Sequence, residues 1–125
     1  MEVGVSKIDE QHKELIARIN AVTKMGTQSA SKEETKKTID MLSTYVIKHF
    51  TDEEQLHKQA NYPKAQAHKE QHKAYLVEIK KMKDEFARNG PSPKFTLTMN
   101  NSVINWIVRH IKSSDADFGK FYNQR

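Results

Sequence analysis

The chain has no cysteine, only four glycines and three prolines, and aromatic residues make up just 8% of its 125 positions. Without cysteine there is no disulfide framework, no thiolate metal site and no thiol nucleophile. The scarcity of Gly and Pro leaves few turns, which favours long helices over many short strands. No window approaches the eighteen apolar residues of a membrane-spanning helix. Met1-Glu2-Val3-Gly4-Val5 lacks a basic segment followed by an apolar core, so it does not read as a signal peptide. A soluble cytoplasmic protein is the expectation. The length fits one domain, 1–125, and 36% apolar with 30% charged residues suits a small helical bundle with a large surface.

The net charge is +5. The lysines are interspersed with acids, as in Lys32-Glu33-Glu34 and Lys80-Lys81-Met82-Lys83-Asp84-Glu85, and no stacking aromatics stand among them. That pattern belongs to solvated helix faces rather than to a nucleic-acid interface.

Four stretches carry apolar residues at alternating three- and four-residue steps, the period of a helix packed along one face. The first, opening at Ser6-Lys7-Ile8-Asp9 with Ser6 or Asp9 as its cap, runs through Ile8, His12, Leu15, Ile19 and Val22 and fades near Gly26. Ser31 with Glu34 forms a capping-box signal for the second, which carries Ile39, Leu42, Val46, His49, Glu53 and Leu56. After a break at Asn61-Tyr62-Pro63, the third carries His68, His72, Tyr75, Ile79, Met82 and Phe86. Asn89-Gly90-Pro91-Ser92-Pro93 ends it, and the fourth carries Met99, Val103, Trp106 and His110. Lys112-Ser113-Ser114-Asp115 reads as the end of that helix or a short loop, with a short helix or tail to follow. No two-residue alternation of useful length appears. The expected fold is all-α, an antiparallel up-down four-helix bundle.

Five of the six histidines, His12, His49, His68, His72 and His110, fall on these inward seams, and Glu53 joins them. Asp115 lies five residues past His110, where an unwound helix end would turn its carboxylate inward. A buried, unpaired Glu53 would cost several kcal/mol, roughly, and a cation is the natural compensation. Five imidazoles and two carboxylates exceed the four ligands of a tetrahedral zinc. Two octahedral ions sharing bridging carboxylates would use them all, and imidazole with carboxylate suits iron, manganese, zinc or copper. A single core histidine is ordinarily just a satisfied core residue; five on one set of seams are not.

Other motifs fail. His68-Lys69-Glu70-Gln71-His72 has Lys69 where a zinc protease needs its glutamate. Glu54-Gln55-Leu56-His57 is the one Glu-x-x-His pair, where ferritin-like di-iron sites need two. No Gly-x-Ser-x-Gly is present.

The segments Val3-Gly4-Val5 with Ile8-Asp9-Glu10-Gln11-His12, His49-Phe50-Thr51-Asp52-Glu53-Glu54, Asn61-Tyr62-Pro63 with His68 and His72, and Asn105-Trp106-Ile107-Val108-Arg109-His110-Ile111 with Asp115 together resemble the hemerythrin family in its bacterial form. Those proteins are non-haem di-iron oxygen-binding bundles, and the match runs nearly end to end. The resemblance implies two iron ions per chain with an oxo or hydroxo bridge. One iron would take His68, His72 and His110, the other His12 and His49, with Glu53 and Asp115 bridging. The second iron is left one site short, and dioxygen would bind there. Leu15, Trp106, Ile107 and Ile111 match the apolar lining of the family's oxygen pocket, though as residues they also read as ordinary core.

Two departures stand out. The family usually begins with a longer, aromatic-containing arm, so the chain reads as a trimmed or short variant. His57 replaces a bulky apolar residue. The plain reading is a half-solvated histidine at the bundle end. The sharper one is a proton donor or extra ligand near the open site, tilting the protein towards oxidase or peroxidase chemistry. Reversible dioxygen binding for carriage, sensing or scavenging is the first functional expectation. A di-iron redox enzyme acting on dioxygen, peroxide or nitric oxide is the alternative, and a merely iron-holding bundle the third.

Overall fold

The computed structural model describes residues 2–27 and 32–125, and among these every regular element is helical. The protein is a helical bundle. Three long helices, α1 (Ser6–Thr27), α2 (Lys32–Gln59) and α3 (Ala65–Asn89), precede a fourth helical run from 93 to 124. The fourth run comprises α4 (Pro93–Thr98), a π-helical segment π1 (Met99–Ile104), α5 (Asn105–His110), a second segment π2 (Ile111–Asp115) and α6 (Ala116–Gln124).

Local chemistry sets the ends. Ser6 is itself helical, and the Asp9 carboxylate reaches back to accept from the Val3 N–H (2.7 Å) and the Gly4 N–H (3.2 Å). The Ser31 cap lies outside the described residues. Asn61 takes a left-handed φ of 54° to turn α2 into α3, a conformation asparagine tolerates better than most residues. Gly90 does the same after α3 with φ 63°, its N–H donating to Phe86 O at 2.7 Å. Ser92 then caps α4 by accepting from the Phe95 N–H, with Pro93 in the first turn.

The stretch Lys112–Asp115 is neither a helix end nor a loop. The helix continues through it as π2, with the Ala116 N–H bonded to Ile111 O five residues back. An α-helix turns about 100° per residue, so a residue five places on points away from the first. The wider i→i+5 turn absorbs one residue and brings Asp115 under His110. The terminal helix is therefore continuous with the fourth helix rather than separate from it.

The helices meet through named pairs. Gln11 bonds Asp52, and Arg18 lies over the Tyr45 ring. Glu54 meets His72, and Asp40 pairs with Lys83. Phe86 packs on Phe95, and Ser114 bonds Gln71. The large apolar core runs from Leu15 and Ile19 through Val46, Phe50, Tyr75 and Phe86 to Ile107 and Ile111. A smaller cluster, Val5, Ile8, Tyr62 and Phe118, closes the other end. Along each helix the histidines and carboxylates fall between these two clusters. The N-terminal arm lies across α6, where Gly119 leaves no room for a Cβ, which would stand 1.9 Å from Val3 O.

Candidate metal centre

All seven expected donors are buried and converge. Their atoms form two groups, each within 4.8 Å: Glu53, His68, His72, His110 and Asp115 in one, His12, His49, Glu53 and Asp115 in the other. Glu53 and Asp115 belong to both. His68 Nε2 stands 2.9 Å from Glu53 Oε1, 2.8 Å from Asp115 Oδ1 and 3.0 Å from His110 Nε2. His72 Nε2 is 3.0 Å from Glu53 Oε1, and His110 Nε2 is 3.1 Å from Asp115 Oδ1. His12 Nε2 approaches Asp115 Oδ2 at 2.9 Å.

Helical spacing explains the convergence. His49 and Glu53 are one turn apart on α2, and His68 and His72 one turn apart on α3, so each pair shares a face. His110 and Asp115 share a face only because π2 lies between them.

Hydrogen bonds from outside aim the rings. Glu54 Oε2 lies 2.8 Å from His72 Nδ1. An ionised carboxylate can only accept, so Nδ1 carries the proton and Nε2 presents a lone pair inward. The Gln11 amide donates to Asp52 Oδ2 at 2.7 Å, which turns its carbonyl to His49 Nδ1 at 2.8 Å and fixes that ring in the same way. The Lys48 ammonium, 2.9 Å away, and the Gln11 amide hold the Asp52 carboxyl below its ordinary range.

The charges balance only in part. Burial and the Asp115 charge push Glu53 up, but the hydrogen bond from His68 leads the opposing causes, and it stays ionised below its usual range. Burial also opposes the Asp115 charge, and hydrogen bonds from His110, His12 and His68 hold it well below. Burial pulls His68 down, yet its bonds to Asp115 and Glu53 win and raise it to about 9. Burial lowers His49 to about 4, leaving it neutral at neutral pH.

Protons alone do not satisfy this site. His49 Nε2 and Glu53 Oε2 are buried with no hydrogen-bond partner. His68 Nε2 can carry one proton but stands within 3.0 Å of two carboxylate oxygens and the His110 ring nitrogen. Imidazole nitrogen with carboxylate oxygen is a donor set for iron, manganese, zinc or copper. The residues fit a metal.

The hemerythrin HHE cation binding domain matches residues 3–122. The chain belongs to the hemerythrin family. It is 27% identical to a bacteriohemerythrin of Stenotrophomonas maltophilia over 94% of this chain and 74% of that one. It is 32% identical to a hemerythrin-like protein of Naegleria gruberi, covering 93% and 83%, and 30% identical to a myohemerythrin of Theromyzon tessulatum, covering 94% and 84%.

Around the donors, Leu15, Ile107 and Ile111 are buried in the large core. Trp106 is half-buried and stacks on His110, with ring centroids 4.8 Å apart and planes 18° apart, and on Tyr75 at 4.5 Å. Phe50 lies flat on His72 at 3.8 Å. His57 is only 1% exposed, not half-solvated. Its ring contacts are His68, His72, Tyr62 and Phe118, on the side of the three-histidine group. Gln11, Asp52 and Glu54 carry no signal in the seam pattern, because they flank it. Their adjacency to His12 and Glu53 is the one clue the sequence holds.

Proposed function

We propose that this chain binds dioxygen reversibly at a non-haem di-iron centre, as an oxygen carrier, sensor or scavenger. The sharing of Glu53 and Asp115 between two buried donor groups is the observation that carries the reading. His68, His72 and His110 would hold one iron, and His12 and His49 the other. Glu53 and Asp115 would serve both ions. The second group has four donors against five, and dioxygen would bind on its side. When bound, the iron pair would supply the electrons that hold dioxygen.

The chain supplies the rest. Glu54 and Gln11 keep His72 and His49 in the tautomer whose lone pair faces inward. Glu53 and Asp115 bring negative charge to a site that burial would otherwise deny to cations. Leu15, Trp106, Ile107 and Ile111 exclude water beside it, which favours release of dioxygen over loss of electrons. The contact pairs from Gln11–Asp52 to Ser114–Gln71 support an antiparallel up-down order, which brings all four helices' donors to one level. No helix among the described residues is long and apolar enough to cross a membrane. A cytoplasmic location is part of the proposal, to be checked by cell fractionation.

The test is the visible spectrum of anaerobically reduced, iron-loaded protein before and after air is admitted. A charge-transfer band that appears and then reverses when oxygen is removed is expected. Immediate passage to a stable ferric spectrum, with steady turnover of a reductant, would instead assign a di-iron redox enzyme. Metal-loaded protein that stays colourless and ignores oxygen would overturn both.

A further inference from the structure

Two of the inward-facing histidines have an outer partner in view, His72 in Glu54 and His49 in Gln11. His68 does not: its Nδ1 is buried and makes no hydrogen bond. A histidine that binds metal through one nitrogen keeps its proton on the other, and that N–H almost always has an acceptor. The ring packed against His68 is His57, with centroids 4.4 Å apart and planes tilted by 45°. His57 is buried, and both its nitrogens lack partners. Leaving three nitrogens orphaned in adjoining rings is costly, and a histidine serves poorly as mere filler between Tyr62 and Phe118.

We propose that His57 is a positioning residue for the metal centre. When His68 Nε2 binds metal, its Nδ1–H donates to a ring nitrogen of His57, directly or through one buried water. His57 also lines a groove of about 430 Å³, as does Glu54. The outer partners of two donors of the three-histidine group therefore meet the same surface. The inference rests on the reading of the donors as metal ligands, and its test separates the two.

The experiment is a Co(II) titration of the metal-free full chain against a competing chelator, with thermal melts of the metal-free proteins. Wild type, His57→Gln and His57→Met are compared. The glutamine carbonyl can accept a hydrogen bond from the His68 N–H; methionine fills the space with only a weak acceptor. His57→Met should bind Co(II) about 10- to 100-fold more weakly, the usual effect of losing an outer partner. It should melt no lower than wild type, because orphaned nitrogens are removed. His57→Gln should bind within about threefold of wild type if its carbonyl replaces the lost acceptor. Wild-type affinity in His57→Met, or equal weakening in both variants, would overturn the proposal. If His57→Gln does not fold, the His57→Met titration decides alone. Failure of the wild-type chain to bind Co(II) at all would instead sink the metal reading itself.

Discussion

At the residue scale, Glu53 has the most to lose. It is fully buried on α2, contacts His68 and His72, and belongs to both donor groups. Glu53→Ala removes a shared donor from each group and half of the negative charge that the buried carboxylates provide. The loss should exceed the roughly 10- to 100-fold that an outer partner is worth. Iron content per chain after loading and desalting is the measurement, and it should fall clearly below that of wild type. Undiminished iron in Glu53→Ala would remove Glu53 from the ligand set. His68 should also titrate nearer to its ordinary value in that variant, since one of the two carboxylates that raise it is gone.

At the element scale, the unusual feature is π2. The seam pattern showed four helices and placed six of the seven donors on them, because a three- and four-residue period needs only residue types to be seen. Asp115 was visible as a candidate but not the way it is delivered. A π turn has no residue signature of its own; whether Ser113 is absorbed by a wide turn depends on what α6 must reach, and Phe118 and Gly119 fix that from outside the segment. Gln11 and Glu54 were obscure for a related reason, since an outer partner is defined by a neighbouring helix and not by its own. The geometry makes a prediction. Deleting Ser113, which is exposed and whose hydroxyl bonds to Arg109 O, turns π2 into an ordinary α turn with Asp115 four residues from His110 and still inward. That variant should load metal and melt near wild type. Deleting Ala74, exposed in the middle of α3, instead rotates Tyr75 and everything after it by about 100° relative to His72. It should lose metal and most of its stability. Equal damage from both deletions, read by metal content and circular dichroism, would contradict the role given to π2.

At the scale of the whole molecule, the metal-free protein must hold a buried set of charges without its cation, and that sets how its stability depends on pH. His49 and His57 are both lowered from 6.5 to about 4, mainly by burial. The unfolded chain protonates them first, so their contribution is full above about pH 6.5 and is lost as the pH falls towards 4. Glu53 and Asp115, held below their ordinary values, add to the same acid loss. His68 behaves in the opposite sense. Burial opposes its charge, but Asp115 and Glu53 raise it to about 9. The folded chain holds that proton where the unfolded chain releases it, so its contribution is full below about pH 6.5 and is lost as the pH rises through 9. Denaturant midpoints in the presence of a chelator should therefore peak near pH 6.5 and fall on both sides, each shifted group contributing about 1.4 kcal/mol per pH unit within its window. The alkaline fall belongs to the empty site alone. A bound Zn(II) supplies the positive charge that the His68 proton otherwise provides, so loading should flatten the curve above pH 6.5 and stabilise most at pH 8.5. A metal-free midpoint that climbs steadily from pH 6.5 to 8.5 would show that His68 does not hold its proton between the two carboxylates. The charge balance of the centre would then have to be drawn again.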